Sequence, residues 1–571
     1  PYFKEKDGTL KKFDFVVANP PFSAKSWSNG ITPEKDKFER YNTEEWGSCP
    51  PQKNGDYAFL LHMIKSLKST GKAAVILPHG VLFRGNAEAN IRRNIIQRGY
   101  IKGIIGLPAN LFYGTGIPAC IIVLDKENAE NRKGIFMIDA SKGFFKDGNK
   151  NRLRARDIHR IVDTFTKQLE IPKYSRMVLI SEISDPKNDY NLNIPRYIDS
   201  QEIEDLQDID GHLNGGIPNR DIDNLENYWK VYPSLRKALF KSYRDGYSVL
   251  NTEPTNIKKI IFEHPEFTTY SKKIEEVFNL WENKNKSVLK EIKIGSKPKE
   301  LIFNLGEDLL NSFSKLELID KYDMYQHLME YWEETMQDDA YIIVVDGWIA
   351  KPERIIVETE NKKTGVKKTT DKGWKCDLIP KELVINKYFL KEKEELDKLQ
   401  SKLEEIQSEI QTLDEENSGE EDLFSEVRSD KGSITSKNII KRIKDIKGNS
   451  EYVDELDVLN KYNKLLSDEK EVKDKIKSLN IELDKNLLTK YSKLSEEEIK
   501  LLVVEDKWLL FLRNCVKSEM ERVSHKLTGR LKELVERYEI QLPKLTSEVE
   551  ELSKKVDKHL KDMGFKWQQN Q

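Results

Sequence analysis

Phe13-Asp14-Phe15-Val16-Val17-Ala18-Asn19-Pro20-Pro21-Phe22 is the stretch that decides the fold of the first part of this chain. The apolar and β-branched residues before Asn19 predict a buried β-strand. The two prolines fix φ and provide no N–H donor, so they predict a stiff turn directly after the strand. The carbonyl oxygen of Pro20 is therefore expected to point away from the strand.

The residues of this turn suit methyl transfer to an amino nitrogen. An exocyclic amino group is a weak nucleophile because its lone pair is delocalised into the ring. Oxygen acceptors from Asn19 and Pro20 would bind its two hydrogens and stabilise the developing positive charge, an effect worth ~3 kcal/mol for each preorganised group. Phe22 would offer a face for an extruded base. The alternative is an ordinary strand-to-loop turn with an asparagine cap, and methylases of DNA, of RNA and of protein glutamine share the tetrapeptide.

Further blocks follow in a fixed order over about the first 200 residues. They are NGDYAFL at 54–60, KAAVILPHGVLFR at 72–84, LPANLFYGTGIPAC at 107–120 and NDYNLNIPRY at 188–197. Together with residues 19–22 they resemble the modification (M) subunit of type I restriction-modification systems. An ordered set of blocks is more specific than any one motif.

The resemblance implies an adenine-specific DNA N6-methyltransferase (EC 2.1.1.72) that uses S-adenosyl-L-methionine. It also implies double-stranded DNA and a specificity (S) subunit as partners, with a restriction (R) subunit and a second M subunit in the larger complexes. The implied site residues are Asn19, Pro20, Pro21 and Phe22 for catalysis, Phe22 and Phe112 for base stacking, and Asn19 and Asp56 for the cofactor. A core aromatic under the adjoining hairpin is the alternative for Phe112, and a helix N-cap is the alternative for Asp56.

One departure from the family concerns the start of the chain. In the family, a glycine-rich block that holds the methionine end of the cofactor precedes the Asn-Pro-Pro-Phe block. Here the chain opens at Pro1, about a dozen residues before the predicted strand. We therefore expect a C-terminal fragment of a longer protein, one that is inactive alone.

Composition bounds the class of protein. The 571 residues are 34% charged, with a net charge of −2 and a mean hydropathy of −0.66. The sequence has neither a secretory signal nor an 18-residue apolar run, which predicts a cytoplasmic protein. Four cysteines without a Cys-x-x-Cys pair indicate neither a metal site nor a disulfide framework.

DNA binding requires local rather than total positive charge. The run containing Lys150, Arg152, Arg154 and Arg156, which continues to His159 and Arg160, is the candidate for contact with the DNA backbone. The alternative is a solvated helix face.

The predicted fold class is α/β: a partial Rossmann-like methyltransferase sheet, its C-terminal half, followed by a mainly α-helical region with a small β element and coiled-coil helices. Three domains are expected, which span residues 1–200, 201–380 and 381–571. Helices at 57–70 and 87–98 alternate with strands at 73–77, 101–107 and 119–124, which predicts a parallel-dominated sheet. Residues 23–54 are predicted to form a substrate-proximal loop, and residues 341–349 and 354–358 the small β element.

Two apolar seams have coiled-coil spacing. The first is Leu396, Leu399, Leu403, Ile406, Ile410 and Leu413, and the second is Leu545, Val549, Leu552, Val556 and Leu560. Residues 414–437 are expected to form a mobile loop between helices. A further helical run is predicted from residue 453 to about residue 488, between the two seams. These helices are predicted to pack as an antiparallel hairpin that offers an outer face to the S subunit. A non-catalytic helical scaffold, or a methylase of RNA or protein glutamine, is the alternative function.

Overall fold

The computed structural model describes residues 4–201, 206–360, 367–417, 423–429 and 433–565. The chain forms two compact units, which are described separately. Unit 1 comprises Pro1–Glu275, Gly306–Glu330 and Ser518–Gln571, and unit 2 comprises Glu276–Leu305 and Tyr331–Lys517. The predicted boundaries at residues 200 and 380 stay predictions.

The β-strands are short and fall mainly in the first half of the chain. They are β1 (Phe13–Ala18), β2 (Leu67–Pro78), β3 (Ile101–Gly106), β4 (Ala119–Asp125), β5 (Gly134–Asp139), β6 (Phe145–Asp147), β7 (Lys150–Arg152), β8 (Ser175–Leu179), β9 (Ile217–Pro218), β10 (Phe240–Arg244), β11 (Tyr247–Leu250), β12 (Glu353–Glu360) and β13 (Lys367–Lys375).

The α-helices lengthen toward the C-terminus. They are α1 (Thr43–Trp46), α2 (Asp56–Lys65), α3 (Asn86–Gln97), α4 (Ala155–Lys167), α5 (Ile180–Ile183), α6 (Ile209–Asn214), α7 (Asn219–Asp223), α8 (Glu226–Val231), α9 (Leu235–Leu239), α10 (Ile257–Glu263), α11 (Pro265–Lys290), α12 (Pro298–Phe313), α13 (Lys321–Tyr331), α14 (Gln337–Asp346), α15 (Lys381–Tyr388), α16 (Leu390–Glu416), α17 (Ser436–Ile446), α18 (Val453–Tyr491), α19 (Glu496–Lys500), α20 (Leu510–Tyr538) and α21 (Leu542–Asp562). Trp332–Met336 and Leu501–Leu509 are π-helical. No helix of the described residues is long and apolar enough to cross a membrane.

A six-stranded sheet in the order β1-β2-β4-β3-β5-β8 forms the centre of unit 1. β1 and β2 pair in parallel, as do β3 and β5, whereas β4 is antiparallel to both of its neighbours. β1, β2, β3 and β5 therefore run in one direction and end at one edge, here called the carboxyl edge. The α/β fold class is confirmed. The sheet is mixed rather than parallel-dominated, because the hairpin from β3 returns as β4 between β2 and β3.

The sheet buries apolar side chains on both faces. One face packs against α2 and α3 in a cluster that includes Leu61, Ile95 and Ile104. The other face packs Ile105 and Phe136 against α4. Neighbouring residues of β3 thus serve opposite faces, as the two-residue period of a strand requires.

The prediction that residues 13–18 form a fully buried strand is wrong for one face. Val16 and Ala18 pack against the α2–α3 cluster. Phe15 is 76% exposed and Val17 is 81% exposed, because β1 lies at the sheet edge and nothing among the described residues covers its second face.

Two predicted boundaries near β2 also need correction. The helix predicted over 57–70 ends at Lys65, and β2 begins at Leu67 rather than at Ala73. Parallel pairing between Phe13 and Leu67 extends the sheet into the segment assigned to the helix. The predicted loop at 23–54 is partly packed, because it contains α1 and buries Trp46 completely.

In unit 2, α16 and α18 pack along the first seam, where Leu403, Ile406 and Leu413 are buried. Lys381, at the start of α15 and ahead of α16, binds Asp484, whereas Gln407 within α16 binds Glu469. The segment ahead of α16 thus contacts the later part of α18, and α16 itself contacts an earlier part of α18, so the two helices run antiparallel. The predicted antiparallel hairpin is present.

Residues 414–437 do not form a loop throughout. Residues 418–422 and 430–432 lie outside the described residues, but Phe424 and Val427 between them are completely buried in the same cluster as the hairpin. The β element consists of β12 and β13, which pair antiparallel. The strand predicted at 341–349 is wrong, since residues 337–346 form α14.

Candidate functional site

The Asn-Pro-Pro-Phe loop leaves β1 at the carboxyl edge and is tied to the start of α2. The backbone N–H of Ser23 donates to Asp56 Oδ1 at 2.7 Å, and the N–H of Gly55 donates to the carbonyl of Ala24 at 3.0 Å. Ser23 has a φ of 48°, which an L-residue adopts only where surrounding contacts hold it. The loop therefore has a defined path.

Asp56 is the residue that connects this loop to the body of the domain. Its carboxylate is completely buried, and Arg84 Nη1 donates to its second oxygen at 2.8 Å. The N-cap of α2 is Gly55, so the predicted capping role of Asp56 is wrong. Both carboxylate oxygens of Asp56 have partners within the protein, and its contact with a cofactor stays a prediction.

Arg84 is a positioning residue that sequence reasoning missed. Besides Asp56 it binds Glu88, one helical turn away at 3.3 Å. Burial raises the pKa of Glu88, and the charge of Arg84 opposes that rise. The only signal in the sequence was the i, i+4 spacing of Arg84 and Glu88, which commonly marks a surface pair.

Arg92 fixes the remaining blocks around this network. Its guanidinium donates to the carbonyls of Val81 and Arg84, and to that of Tyr190 at 2.8 Å. Tyr57 OH donates to the same Val81 carbonyl at 2.7 Å. The blocks at 54–60, 72–84 and 188–197, distant in sequence, therefore meet beneath the loop.

Asn19 differs from these residues because its side chain is free to bind a ligand. Its side chain is exposed, and among the described residues it makes no hydrogen bond. Pro20 is half-buried behind it. An unengaged amide at the carboxyl edge can accept a hydrogen bond from a ligand without loss of an existing contact.

Phe22 and Phe112 come together as the sequence predicts for a pair of stacking residues. Their ring centroids are 5.4 Å apart with an interplanar angle of 72°. Phe112 lies in the loop between β3 and β4, which leaves the sheet at the same carboxyl edge. The rings touch each other, so a base could lie between them only after they separate.

The four basic residues predicted to contact DNA all have partners in the structure. Lys150 Nζ donates to the carbonyls of Phe112 and Thr115, at 2.7 and 3.1 Å. The arginines form ion pairs: Arg152 with Asp147, Arg154 with Asp157, and Arg156 with Asp323. Lys150 therefore braces the loop that carries Phe112, a role that the charge run did not indicate.

Comparison with known proteins identifies the region that contains this site. Residues 2–206 match the family model described as N-6 DNA Methylase. The type I restriction enzyme MjaVII methylase subunit of Methanocaldococcus jannaschii is 36% identical over 202 residues, which cover 34% of each chain. The MpnII methylase subunit of Mycoplasma pneumoniae is 32% identical over 197 residues, covering 34% of this chain and 35% of that one.

Among solved structures, the methyltransferase subunit of a type I restriction-modification system from Streptococcus thermophilus is 42% identical. The match covers 33% of this chain and 38% of that chain, with a TM-score of 0.30. The chain thus spans about a third of the length of the curated relatives it matches.

Proposed function

We propose, from the match of residues 2–206 to the N-6 DNA Methylase family model, that this protein transfers a methyl group to the N6 amino group of adenine in DNA. In this proposal it acts as the modification subunit of a type I restriction-modification complex. The observation that carries the proposal is the exposed, unengaged Asn19 amide beside the Phe22–Phe112 pair at the carboxyl edge.

Each residue of the loop has a distinct task. The side-chain oxygen of Asn19 and the carbonyl oxygen of Pro20 accept the two amino hydrogens, which favours a tetrahedral nitrogen. As the nitrogen bonds to the methyl carbon it becomes positive, while the electron pair of the breaking S–C bond stays on the sulfur of the donor. The same two dipoles stabilise the charge on the nitrogen until one of its protons leaves to solvent. Pro21 keeps the turn stiff, and Phe22 and Phe112 hold the extruded adenine by its faces.

The methyl donor expected for this family is S-adenosyl-L-methionine, which supplies an electrophilic methyl group on a sulfonium centre. Asn19 is the residue that we assign to its contact with the loop, since its amide has no other partner among the described residues and offers both a donor and an acceptor. The Ser23–Asp56–Arg84 connection would keep Asn19 in place while the donor and the base are bound.

The proposal is tested by measuring which of several substrates accepts the methyl group. The protein, co-purified with the proteins encoded beside its gene, is incubated with a radiolabelled methyl donor and with duplex DNA, RNA or a glutamine-containing peptide. Label in N6-methyladenine of DNA alone is expected. Label in RNA or in the peptide would replace the proposed substrate, and no label with any acceptor would favour the scaffold alternative.

We assign α21 to contact with the specificity subunit. The curated relatives are named as subunits of an enzyme, so other chains belong to their assemblies. Four residues of the second seam point to solvent, being 39 to 62% exposed: Leu545, Val549, Leu552 and Val556. An apolar stripe repeated every seven residues is the surface that a partner helix covers.

A further inference from the structure

A cavity of about 450 Å³ opens beside β5 in unit 1. Asp139 and Ala140, at the end of β5, form one wall, and α4 forms another. Tyr322 and Arg522 contribute to the remainder. The cavity is separate from the Asn19 loop and has no part in the proposed transfer step.

The cavity has an excess of positive charge. Among the described residues that line it, seven basic side chains face four carboxylates. Asp157 is held by Arg154 at 2.8 Å. Asp323 is shared between Arg156 and Arg522. These two carboxylates are therefore already neutralised. Among the described residues that line the cavity, the carboxylates of Asp139 and Asp320 then face four further cations, so the excess of positive charge remains.

Two of the other cations have neutral partners. Lys142 Nζ donates to the carbonyl of Ser200, and Lys173 Nζ donates to the carbonyl of Gln201 at 3.0 Å. A carbonyl satisfies a donor but leaves its charge in place. Each ammonium group retains donors that an anion could use.

Lys526 and Arg160 have the fewest hydrogen-bond partners of these four cations. Lys526 lines the cavity, is exposed to solvent and, within the described residues, has no hydrogen bond or ion pair. Burial and then the charge of Arg522 lower its pKa. Arg160 packs over the ring of Tyr174 at 4.3 Å, and its buried Nε lacks a partner in the described structure. It approaches Asp320 only at 3.8 Å.

We propose that this cavity binds a phosphate group and that the group belongs to the backbone of the DNA substrate. Phosphate carries the charge that the cavity lacks, and its oxygens accept from both ammonium and guanidinium donors. The four cations just described would supply these donors. Arg154 and Arg156 of the predicted basic run also line the cavity, where each pairs with a carboxylate.

The direction of the strands in the sheet supports DNA as the source of the bound phosphate group. β1 and β5 run in the same direction, so the Asn19 loop and the cavity lie at the same carboxyl edge. Four strand spacings separate β1 from β5 in the sheet, which is about 19 Å at ~4.8 Å each. That distance corresponds to about five or six base-pair steps along a duplex. The phosphate site rests on the cavity alone, whereas its assignment to DNA rests on the proposed function.

Lys526→Gln tests the proposal, with Lys532→Gln as the matched control. Both lysines are exposed on α20, but Lys532 does not line the cavity. Fluorescence anisotropy measures binding of a labelled DNA duplex to the complex between 50 and 200 mM KCl. The logarithm of the DNA association constant falls linearly with the logarithm of the KCl concentration. Loss of one phosphate contact should make this negative slope shallower by ~0.9 in Lys526→Gln and leave it unchanged in the control.

A second arm distinguishes a DNA phosphate from a free one. Titration with inorganic pyrophosphate, followed by its phosphorus NMR signal, should show binding to the wild type that Lys526→Gln weakens at least fivefold. Weaker pyrophosphate binding with an unchanged DNA slope would support a phosphate site for a free ligand and overturn its assignment to DNA. If Lys526→Gln matches Lys532→Gln in both arms, the phosphate site is wrong. Neither readout requires methyl transfer, so this outcome is independent of the proposed function.

Discussion

Phe22 and Phe112 are in edge-to-face contact, so an adenine can stack on them only if the rings move apart. We predict that Phe112→Ala slows methyl transfer by about 10- to 100-fold, the range that a lost stacking contact provides. Binding of duplex DNA should change much less, because backbone contacts dominate affinity. Phe112→Tyr should be mild.

Fluorescence of 2-aminopurine at the target position reports the stacking directly. Tyr113→Ala is the control, since Tyr113 lies in the same loop and is 88% exposed. Wild type and Tyr113→Ala should give the same signal on binding, and Phe112→Ala a different one. An identical signal in all three would refute the stacking role.

Arg84 neutralises two buried carboxylates, those of Asp56 and Glu88. Arg84→Met leaves both without a cation, which we expect to lower the free energy of unfolding by about 3 kcal/mol. Arg93→Met is the matched control, because the two side chains of the Arg93–Asp189 pair are 40% and 69% exposed and the pair should contribute less than ~1 kcal/mol. Urea denaturation measures both, and equal losses would contradict the positioning network.

At the scale of elements, two helices have the same apolar spacing but different surroundings. Leu403 of α16 is 8% exposed in the hairpin, whereas Leu552 of α21 is 59% exposed. We predict that Leu403→Ala costs about 2 kcal/mol of stability, at the low end for a core leucine, and that Leu552→Ala costs less than ~0.5 kcal/mol.

Binding to the specificity subunit should be weakened by Leu552→Ala and not by Leu403→Ala, which is the reverse of their effects on stability. In a pull-down with the specificity subunit, Leu552→Ala should weaken retention, and Val549→Ala, on the same exposed stripe, should do the same. Leu403→Ala is the control and should be retained at temperatures where the hairpin stays folded. Retention of both α21 variants at the wild-type level would remove α21 as the docking helix.

α4 is joined to the start of α13 by a carboxylate whose ionisation stabilises the fold. Burial acts to raise the pKa of Asp163, but hydrogen bonds from Lys167, Tyr322 and Lys321 outweigh it and lower that pKa to about 2. A depressed pKa contributes stability above the unfolded value near 3.8, and this contribution is lost as the pH falls toward 2.

The size of this contribution follows from the shift, at about 2 kcal/mol near neutral pH. Asp163→Asn should therefore be less stable than wild type by about that amount at pH 7, and the difference should shrink between about pH 4 and pH 2. Calorimetric unfolding across this range measures it. A difference independent of pH would mean that the ionised carboxylate does not provide the stability.

At the scale of the whole molecule, the sequence predicted the ordered elements better than their limits. The alternation of strands and helices indicated the α/β class, and the loops after β1 and β3 were correctly expected to carry Asn19 and Phe112. The prediction failed for residues 341–349, where a run of isoleucine and valine favours a strand. The structure buries Met336, Ala340 and Ile343 at helical spacing, and this packing decides the outcome.

The contacts that support the Asn19 loop were harder to predict than the loop itself. Asp56 was predicted to cap α2 and Lys150 was grouped with a basic run, because each residue was judged from its neighbours in sequence. The contact of Lys150 with DNA stays a prediction. The partners of these two residues in the structure, Arg84 and the carbonyl of Phe112, lie 28 and 38 residues away. Contacts of this separation depend on the fold of the sheet, which a local pattern does not contain.

The most direct test of the account is adenine-methylation sequencing of genomic DNA from cells that carry the gene at its native locus, either as wild type or as Asn19→Ala. Asn19 is exposed and makes no hydrogen bond within the described structure, so its replacement should leave the protein level and assembly unchanged. We predict N6-methyladenine at one recurring sequence in the wild type and a loss of at least about 100-fold in the variant, consistent with removal of a preorganised acceptor. A variant that retains a tenth or more of the wild-type methylation would contradict the central role of Asn19.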